Sequence, residues 1–226
     1  VRRAKPLCAT GAERPNHPTP KNRAQGEALF KNNWNDYYRH LGERKPRPLF
    51  LNALGRFSDQ QDNKPRQAIE LGSGDGTESL FLLEHGWHVF SVDQELGAIA
   101  RLEKACRPEW RDVLKVKVTP FEGISLPKAE FIYAGFSLPF CTPAVFPELW
   151  TTIVDALIPS GRFAGQLFGE RDSWAANPDM SFHTRKEVDA LLEPLEVESL
   201  EVDERDGKAF SGPKHWHIHH IIARKP

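Results

Sequence analysis

The sequence is poor in sulfur-containing residues and in long apolar runs. It has three cysteines and one methionine among 226 residues. Cys8, Cys106 and Cys141 are odd in number and show no CxxC spacing, which is typical of reduced thiols in a cytoplasmic protein. The longest apolar runs, such as Ala129 to Leu138, are shorter than the roughly 20 residues that span a bilayer. We therefore expect a cytoplasmic protein that has no transmembrane helix and no membrane partner.

An excess of charge of either sign is also missing. Thirty Lys and Arg residues face 31 Asp and Glu residues, so the formal net charge is -1. Proteins that bind nucleic acids usually carry a basic surface, and this balance argues against a DNA or RNA partner. The hydrophobic fraction of 39% is ordinary for a soluble domain, and 226 residues fit one α/β domain with a short extension.

The basic residues that the chain does have are concentrated at its start. The first 25 residues hold six Lys and Arg, a single acid, Glu13, and four prolines. They lack the apolar stretch of a secretory signal, and the prolines disfavour the amphipathic helix of a transit peptide. We predict a flexible basic tail over residues 1–25, followed by a single domain over 26–226 whose residues 26–66 form an N-terminal helical cap.

Within this cap, residues 27–41 place apolar side chains at spacings of three and four, which predicts an amphipathic helix. Trp34 and Tyr38 are four residues apart and share one face of it. That face either packs on the core or covers a bound ligand, and we predict the cover.

From residue 68 onward, short apolar runs alternate with helical patterns. This alternation predicts parallel strands joined by right-handed crossovers. Only an acidic turn, Asp203 to Gly212, separates the last two apolar runs, so they are expected to form an antiparallel hairpin. The predicted strands are 68–71, 88–92, 114–118, 131–136, 162–168, 197–202 and 215–223.

Three alternating glycines follow the first predicted strand, in the segment from Ala68 to Thr77 that reads AIELGSGDGT. Glycines permit the backbone angles of a strand that turns directly into a helix, and they let a ligand lie against the backbone. The second predicted strand ends in Asp93, and an acid there can accept both hydroxyls of a ribose.

A dinucleotide site is the alternative to consider. Its G-x-G-x-x-G pattern requires glycine where this chain has Thr77, and Glu70 would place a carboxylate close to the pyrophosphate. Asp93 by itself indicates adenosine without choosing between the two kinds of cofactor.

The pattern E-x-G-x-G-x-G, followed by a strand that ends in Asp93, resembles motifs I and II of the class I S-adenosylmethionine-dependent methyltransferases. The opening WNDYY, the segment SLPF and the ending KHWHIHHIIARK are similar to small enzymes of the tellurite-resistance and thiopurine-methyltransferase branch. The resemblance implies a Rossmann-like, seven-stranded, mostly parallel sheet with an antiparallel last strand and helices on both faces.

It also implies roles for individual residues. S-adenosyl-L-methionine would be the cofactor. Pro120 stands where family members often carry an aspartate for the adenine amine, which leaves the Phe121 amide as the expected adenine contact. The expected cofactor-binding residues are Trp34, Tyr38, Glu70, Gly72, Ser73, Gly74, Asp93, Gln94, Phe121 and Ala134.

Substrate contacts are expected where the later strands end. The stretch from Gly169 to Pro178 follows a strand at its carboxyl end and is either a substrate lid or a structural capping loop. Phe136, Arg171 and Trp174 are the expected substrate-binding residues. We interpret Ser137-Leu138-Pro139-Phe140 as a proline turn beside the site rather than as the motif of amino-methyltransferases, because it begins about two residues too late.

Histidines 215, 217 and 219 alternate in the last strand and share a face. No cysteine or carboxylate completes a ligand set nearby, so we interpret them as core residues and expect no metal. His215 lies at the start of that strand, near the expected ligand edge, and is the predicted general base; His183 is its rival.

The expected activity is transfer of a methyl group from S-adenosylmethionine to an O, N or S atom of a small molecule by in-line displacement. A non-catalytic cofactor-binding or scaffolding protein and an NAD(P)-dependent reductase are the alternatives. We expect a monomer or a weak homodimer.

Overall fold

A computed structural model describes Trp34, residues 44–57 and residues 65–226 of the chain. All of these residues belong to one compact unit, Trp34–Pro226. The predicted cap helix lies outside the described residues apart from Trp34, which is helical.

A twisted sheet forms the centre of this unit. Its strands run in the order β3-β2-β1-β4-β5-β8-β7, and a two-residue strand, β6, pairs with the end of β5. In chain order the strands are β1 (Gln67–Leu71), β2 (His88–Asp93), β3 (Leu114–Val118), β4 (Ala129–Ala134), β5 (Leu157–Gly169), β6 (Phe182–His183), β7 (Glu196–Ala209) and β8 (Gly212–Arg224). The strands β1 to β6 pair in parallel, whereas β8 is antiparallel to both β5 and β7.

Helices cover both faces of this sheet. They are α1 (Pro48–Gly55), α2 (Thr77–Glu84), α3 (Leu96–Ala105), α4 (Phe146–Ala156) and α5 (Arg185–Leu192), with short 3-10 turns at Pro108–Trp110 and Leu138–Phe140. A capping box at Thr184 and Glu187 begins α5. None of the helices within the described ranges has the length and apolar character needed to cross a membrane.

Successive residues of the central strands enter two different cores. In β4, Phe131 and Tyr133 pack with α1 and α2 on one face, whereas Ile132 and Ala134 pack with α4 and α5 on the other. Side chains alternate between the faces of a strand, so a strand covered on both faces is apolar at nearly every position. This explains the short continuous apolar runs of the sequence.

The predicted fold class is confirmed, and several elements differ from the prediction. The sheet gains the short strand β6. β4 ends at Ala134 and therefore excludes Phe136, whose φ of 56° does not fit a strand.

The largest difference concerns the predicted turn from Asp203 to Gly212. β7 continues to Ala209, which pairs directly with Gly212, so the turn consists of two residues, Phe210 and Ser211. The hairpin therefore extends beyond the last residue pair that β8 forms with β5, which is Phe168 with Ile218. The cause is local pairing: the polar residues of this segment bond across the hairpin, as Asp206 does with His215.

One buried and two half-buried histidines make the stability of the fold depend on pH. Burial lowers the pKa of His183, His219 and His220 below the ordinary value for histidine. The unfolded chain therefore takes up protons near pH 6.5 that the folded chain binds only at lower pH. Stability that is present above this pH is lost as the pH falls.

We predict that the free energy of unfolding decreases between pH 7 and pH 5 and that His219→Leu reduces this decrease. His219 is 1% exposed, and leucine cannot take up a proton there. Urea unfolding at several pH values measures the slope. A slope equal to that of the wild type in His219→Leu would contradict the role of this histidine.

Candidate functional site

The glycine turn between β1 and α2 is fixed by backbone hydrogen bonds. Gly72 N and Ser73 N both donate to the carbonyl of Val92, over 2.7 and 3.0 Å. Gly72, Gly74 and Gly76 all have positive φ angles, of 76°, 55° and 79°. A Cβ atom on Gly72 would lie 2.3 Å from the Cβ atom of Ser137. The turn therefore lies directly against the ends of β2 and β4.

Asp93 connects the end of β2 to this turn. One carboxylate oxygen accepts a hydrogen bond from Gly74 N over 2.8 Å, and the other accepts one from Glu95 N over 2.9 Å. Burial raises the pKa of Asp93, although these backbone donors oppose the increase. Each oxygen of an ionised carboxylate can accept further hydrogen bonds. Asp93 can therefore fix the turn and bind two hydroxyl groups at the same time.

Glu70 lies below the turn rather than on its surface. It is 2% exposed, and it accepts a hydrogen bond from the hydroxyl of Ser79, which lies 2.5 Å from the hydroxyl of Ser91. Burial and, after it, the charge of Glu78 raise the pKa of Glu70 well above its ordinary value. The structure thus gives Glu70 a bonding partner inside the fold; cofactor binding by this residue stays a prediction.

Arg44 forms a clamp that the sequence did not predict. Its guanidinium group binds Asp75 over 2.7 and 2.8 Å and Glu78 over 2.5 and 2.6 Å. Burial disfavours the charge of Arg44, but the hydrogen bonds and charges of Glu78 and Asp75 outweigh it and raise the pKa. The segment before α1 is thereby tied to the glycine turn and to the first turn of α2.

A group of aromatic side chains lies beyond the carboxyl ends of β4 and β5, and we call it the aromatic cluster. Trp34 contacts it edge to face, with its ring centroid 4.9 Å from that of Phe140. Trp34 therefore packs against this edge of the sheet, and Tyr38 lies outside the described residues. The members of the aromatic cluster are Phe136, Phe140, Phe168, Trp174, Phe182 and Trp216.

Phe136 lies at the point where β4 leaves the sheet. Its backbone is in the left-handed region, with φ of 56°, and its amide donates to Oε1 of Gln166 over 3.1 Å. The guanidinium carbon of Arg47 lies 5.0 Å from the centre of its ring. Backbone strain of this kind persists only where surrounding contacts enforce it, and it is frequent at functional sites. Gln166 and Arg47 were not identified from the sequence.

The stretch after β5 is bonded at one end to β7, through the side chain of Arg171. The Arg171 side chain is paired with Glu204 over 2.7 and 2.8 Å, and this hydrogen bond raises the pKa of Arg171 and lowers that of Glu204 to about 2. The guanidinium group of Arg171, an expected substrate-binding residue, is thus paired with an acid of the protein itself. Trp174 packs in the aromatic cluster, at 5.8 Å from Trp216.

The two predicted bases do not face the aromatic cluster. Lys214 and Trp216 point into it, so His215, between them in β8, points to the opposite face. Its Nδ1 lies 2.7 Å from Asp206, and this contact, followed by that with Glu204, raises its pKa. His183 packs with its ring 4.4 Å from that of Phe146. A catalytic role for either histidine stays a prediction.

The remaining expected cofactor residues fall into two groups. Gln94 is exposed beside Asp93, and Phe121 is half-buried against the core. Ser73 is 1% exposed and Ala134 is fully buried, so Ala134 contributes shape rather than an accessible side chain. Among the described residues, no group of three or more His, Cys, Asp or Glu side chains is arranged to hold a metal ion.

Comparison with known proteins gives one family match. Residues 58–162, a little under half of the chain, match the family model described as tellurite resistance protein TehB. No curated protein sequence matches the chain significantly.

Solved structures share the fold at low sequence identity. TehB from Haemophilus influenzae superposes with a TM-score of 0.62 at 17% identity over 78% of this chain, which spans only 62% of that protein. The N-methyltransferase NodS from Bradyrhizobium japonicum, solved with S-adenosylhomocysteine, has a TM-score of 0.60 at 13% identity and covers 88% of this chain and 91% of its own. The 1,6-didemethyltoxoflavin-N1-methyltransferase of Burkholderia thailandensis has a TM-score of 0.59 at 19% identity and covers 95% and 93%.

The fold is that of the class I S-adenosylmethionine-dependent methyltransferases, and residues 58–162 are similar to the TehB family. Within that class it resembles the TehB-like branch, as the sequence motifs indicated.

We predict that Gly72→Ala costs more stability than Gly86→Ala. Both glycines have left-handed backbones, with φ of 76° and 77°, but a Cβ atom at Gly86 would meet nothing within 4 Å. Alanine costs about 1–2 kcal/mol for that backbone, and at Gly72 a further ~1–3 kcal/mol for the overlap with Ser137. Urea unfolding of both variants measures the difference. Equal losses would show that the approach to Ser137 is not a tight constraint.

Proposed function

We propose that this chain transfers the methyl group of S-adenosyl-L-methionine to an O, N or S atom of a small-molecule acceptor by in-line displacement. The observation that carries the proposal is the hydrogen bond between Asp93 and Gly74 N, which holds the acid at the end of β2 against a glycine turn. The aromatic cluster lies beyond the carboxyl ends of β4 and β5, at the edge where open α/β sheets bind ligands.

The chemistry of the donor groups fits this cofactor. Gly72 and Gly74 present backbone without side chains, and Asp93 retains acceptor capacity for the two ribose hydroxyls. Gln94 and Phe121 are proposed to flank the adenosine portion. Thr77, at the position of the third glycine of a dinucleotide site, begins α2.

Bound S-adenosylmethionine supplies an electrophilic methyl group on a sulfonium cation. The chain itself contributes mainly binding and orientation, which are large factors in a bimolecular displacement. The faces of Trp34 and Phe136 favour a cation over a neutral thioether, and Tyr38 is expected to act with them. No metal or acid is needed to activate a sulfonium, so positioning of the acceptor determines the rate.

The acceptor is proposed to be a small molecule because the chain lacks the charge that binds nucleic acids. Its formal net charge is -1, and binding to a polyanion normally requires a basic surface. A small-molecule acceptor is also supported by a structural neighbour, since the Burkholderia protein is named for 1,6-didemethyltoxoflavin.

We predict that Asp93→Asn weakens binding of S-adenosylhomocysteine by about 10- to 100-fold, because an amide can no longer accept bonds on both sides. Isothermal titration calorimetry measures the affinity. Asp112→Asn is the matched control, since Asp112 is exposed. Binding of NADH in place of S-adenosylhomocysteine, or equal affinity in both variants, would contradict the proposed cofactor site.

The acceptor is identified by incubating the protein with a metabolite extract and cofactor that carries an isotopically labelled methyl group. Mass spectrometry is expected to find label in one or a few small molecules. Labelled RNA or DNA produced by a variant that lacks residues 1–25 would contradict the acceptor class. Cofactor binding without any labelled product in wide-ranging extracts would favour a non-catalytic binding protein.

A further inference from the structure

The hairpin of β7 and β8 carries a lysine that is entirely buried. The side chains of Lys214 and Asp172 both have 0% exposure, and the ammonium group is paired with the carboxylate. A buried charge is costly unless it is paired, so Lys214 and Asp172 depend on each other. The two residues are 42 positions apart in the sequence, and the pair was not predicted.

Three rings of the aromatic cluster surround the ammonium group. Its nitrogen lies 3.5 Å from the ring centroid of Trp174, 4.5 Å from that of Trp216 and 5.1 Å from that of Phe168. Cations are attracted to aromatic faces at such distances, and the attraction is stronger without water. The rings belong to β5, to β8 and to the segment between β5 and β6. Lys214 is therefore the contact at which these three parts meet.

Asp172 is also hydrogen-bonded to the backbone of the segment between β5 and β6 and to that of β8. Its Oδ1 atom accepts a hydrogen bond from Trp174 N over 2.9 Å, and its Oδ2 atom lies 3.4 Å from the donor His217 N. Ser173 N also donates to the carbonyl of His215 over 3.1 Å. The position of Trp174 is thus determined by the carboxylate that Lys214 holds.

The far end of the segment is bonded to the loop after β4. Ser181 N donates to the carbonyl of Pro139 over 2.9 Å, and the Ser181 hydroxyl donates to the carbonyl of Cys141 over 2.7 Å. Between these two attachments the ring of Trp174 lies 6.5 Å from that of Phe140. The segment therefore bridges the sheet edge from β8 to the exit of β4.

We propose that Lys214 is a positioning residue: through its pair with Asp172 it holds segment 170–181 in place, so that Trp174 forms one wall of the acceptor side of the site. The role of Trp174 toward an acceptor rests on the methyl-transfer function proposed above. The attachment of the segment by Lys214 and Asp172 does not depend on that function. Lys214 touches neither cofactor nor acceptor in this role. It acts through Asp172 and Trp174.

Two substitutions break the pair from opposite sides. Lys214→Met keeps the length of the side chain and leaves the Asp172 carboxylate buried without a cation. Asp172→Asn keeps an oxygen for Trp174 N and leaves the ammonium group without an anion. Both should release the segment, whereas Lys214→Arg retains the charge and should restore its attachment.

Limited trypsin digestion at pH 7.5, followed by mass spectrometry, measures release as cleavage after Arg171. We expect this cleavage to be about 10-fold faster or more in Lys214→Met and Asp172→Asn, because local opening exposes the bond. Lys214→Arg is expected to stay within about 3-fold of the wild type, since its guanidinium group retains the positive charge. The matched control is Arg205→Gln, which removes an exposed ion pair with Asp203 from the same hairpin and should leave the rate unchanged.

Thermal unfolding by circular dichroism shows whether each variant folds. Calorimetry with S-adenosylhomocysteine measures cofactor binding separately from the digestion. Cleavage that accelerates equally at all sites, or no acceleration in either Lys214→Met or Asp172→Asn, would overturn the proposal, as would failure of Lys214→Arg to restore the wild-type rate. If Lys214→Met does not fold, Asp172→Asn and Lys214→Arg decide the outcome. Absence of S-adenosylhomocysteine binding in the wild type would reject the proposed function without affecting the digestion result.

Discussion

The hydrogen bond from Gly74 N to Asp93 is the interaction on which the site depends. It joins the turn after β1 to the end of β2 over 2.8 Å, in the buried edge of a parallel sheet. The carbonyl of Val92, one residue earlier, accepts two further amides of the turn. Because the turn and the acid are bonded to each other, neither can move without the other. A ligand that requires both finds them in a fixed relative position, and little ordering is needed when it binds.

Two buried or half-buried cations hold the surroundings of this site together by the same physics. Arg44 ties the segment before α1 to Asp75 and Glu78 of the glycine turn and α2. Lys214 ties the segment after β5 to the last hairpin through Asp172. In each case the acid and the base come from distant parts of the chain. Removal of one partner would leave an uncompensated charge away from water, so these pairs fix geometry more than they add stability.

These long-range pairs also show why part of the candidate site could not be predicted from the sequence. The turn from Gly72 to Gly76 and the acid at Asp93 are local signals, because glycine spacing and the last residue of an apolar run can be recognised without a partner. The Arg44–Glu78 pair spans 34 positions and has no such signal. The segment from Asp203 to Gly212 was wrongly predicted as a turn, because its polar composition is typical of loops, whereas its bonds across the hairpin determine its structure. Gln166, in an apolar strand, gave no signal that its amide oxygen receives Phe136 N.

The division between local and distant contacts has a functional consequence. The proposed cofactor side of the site is built within about two dozen consecutive residues, from Glu70 to Glu95. The aromatic cluster is assembled from β5, β6, β8 and the segments that follow β4 and β5, which are distant from one another in the sequence. Substitutions in Phe140, Trp174 or Trp216 can therefore change the shape of the proposed acceptor side while the Gly74–Asp93 bond is preserved. Such an arrangement allows one fold to retain a single methyl donor while its acceptors differ, because function depends on sites carried by the fold rather than on the fold itself.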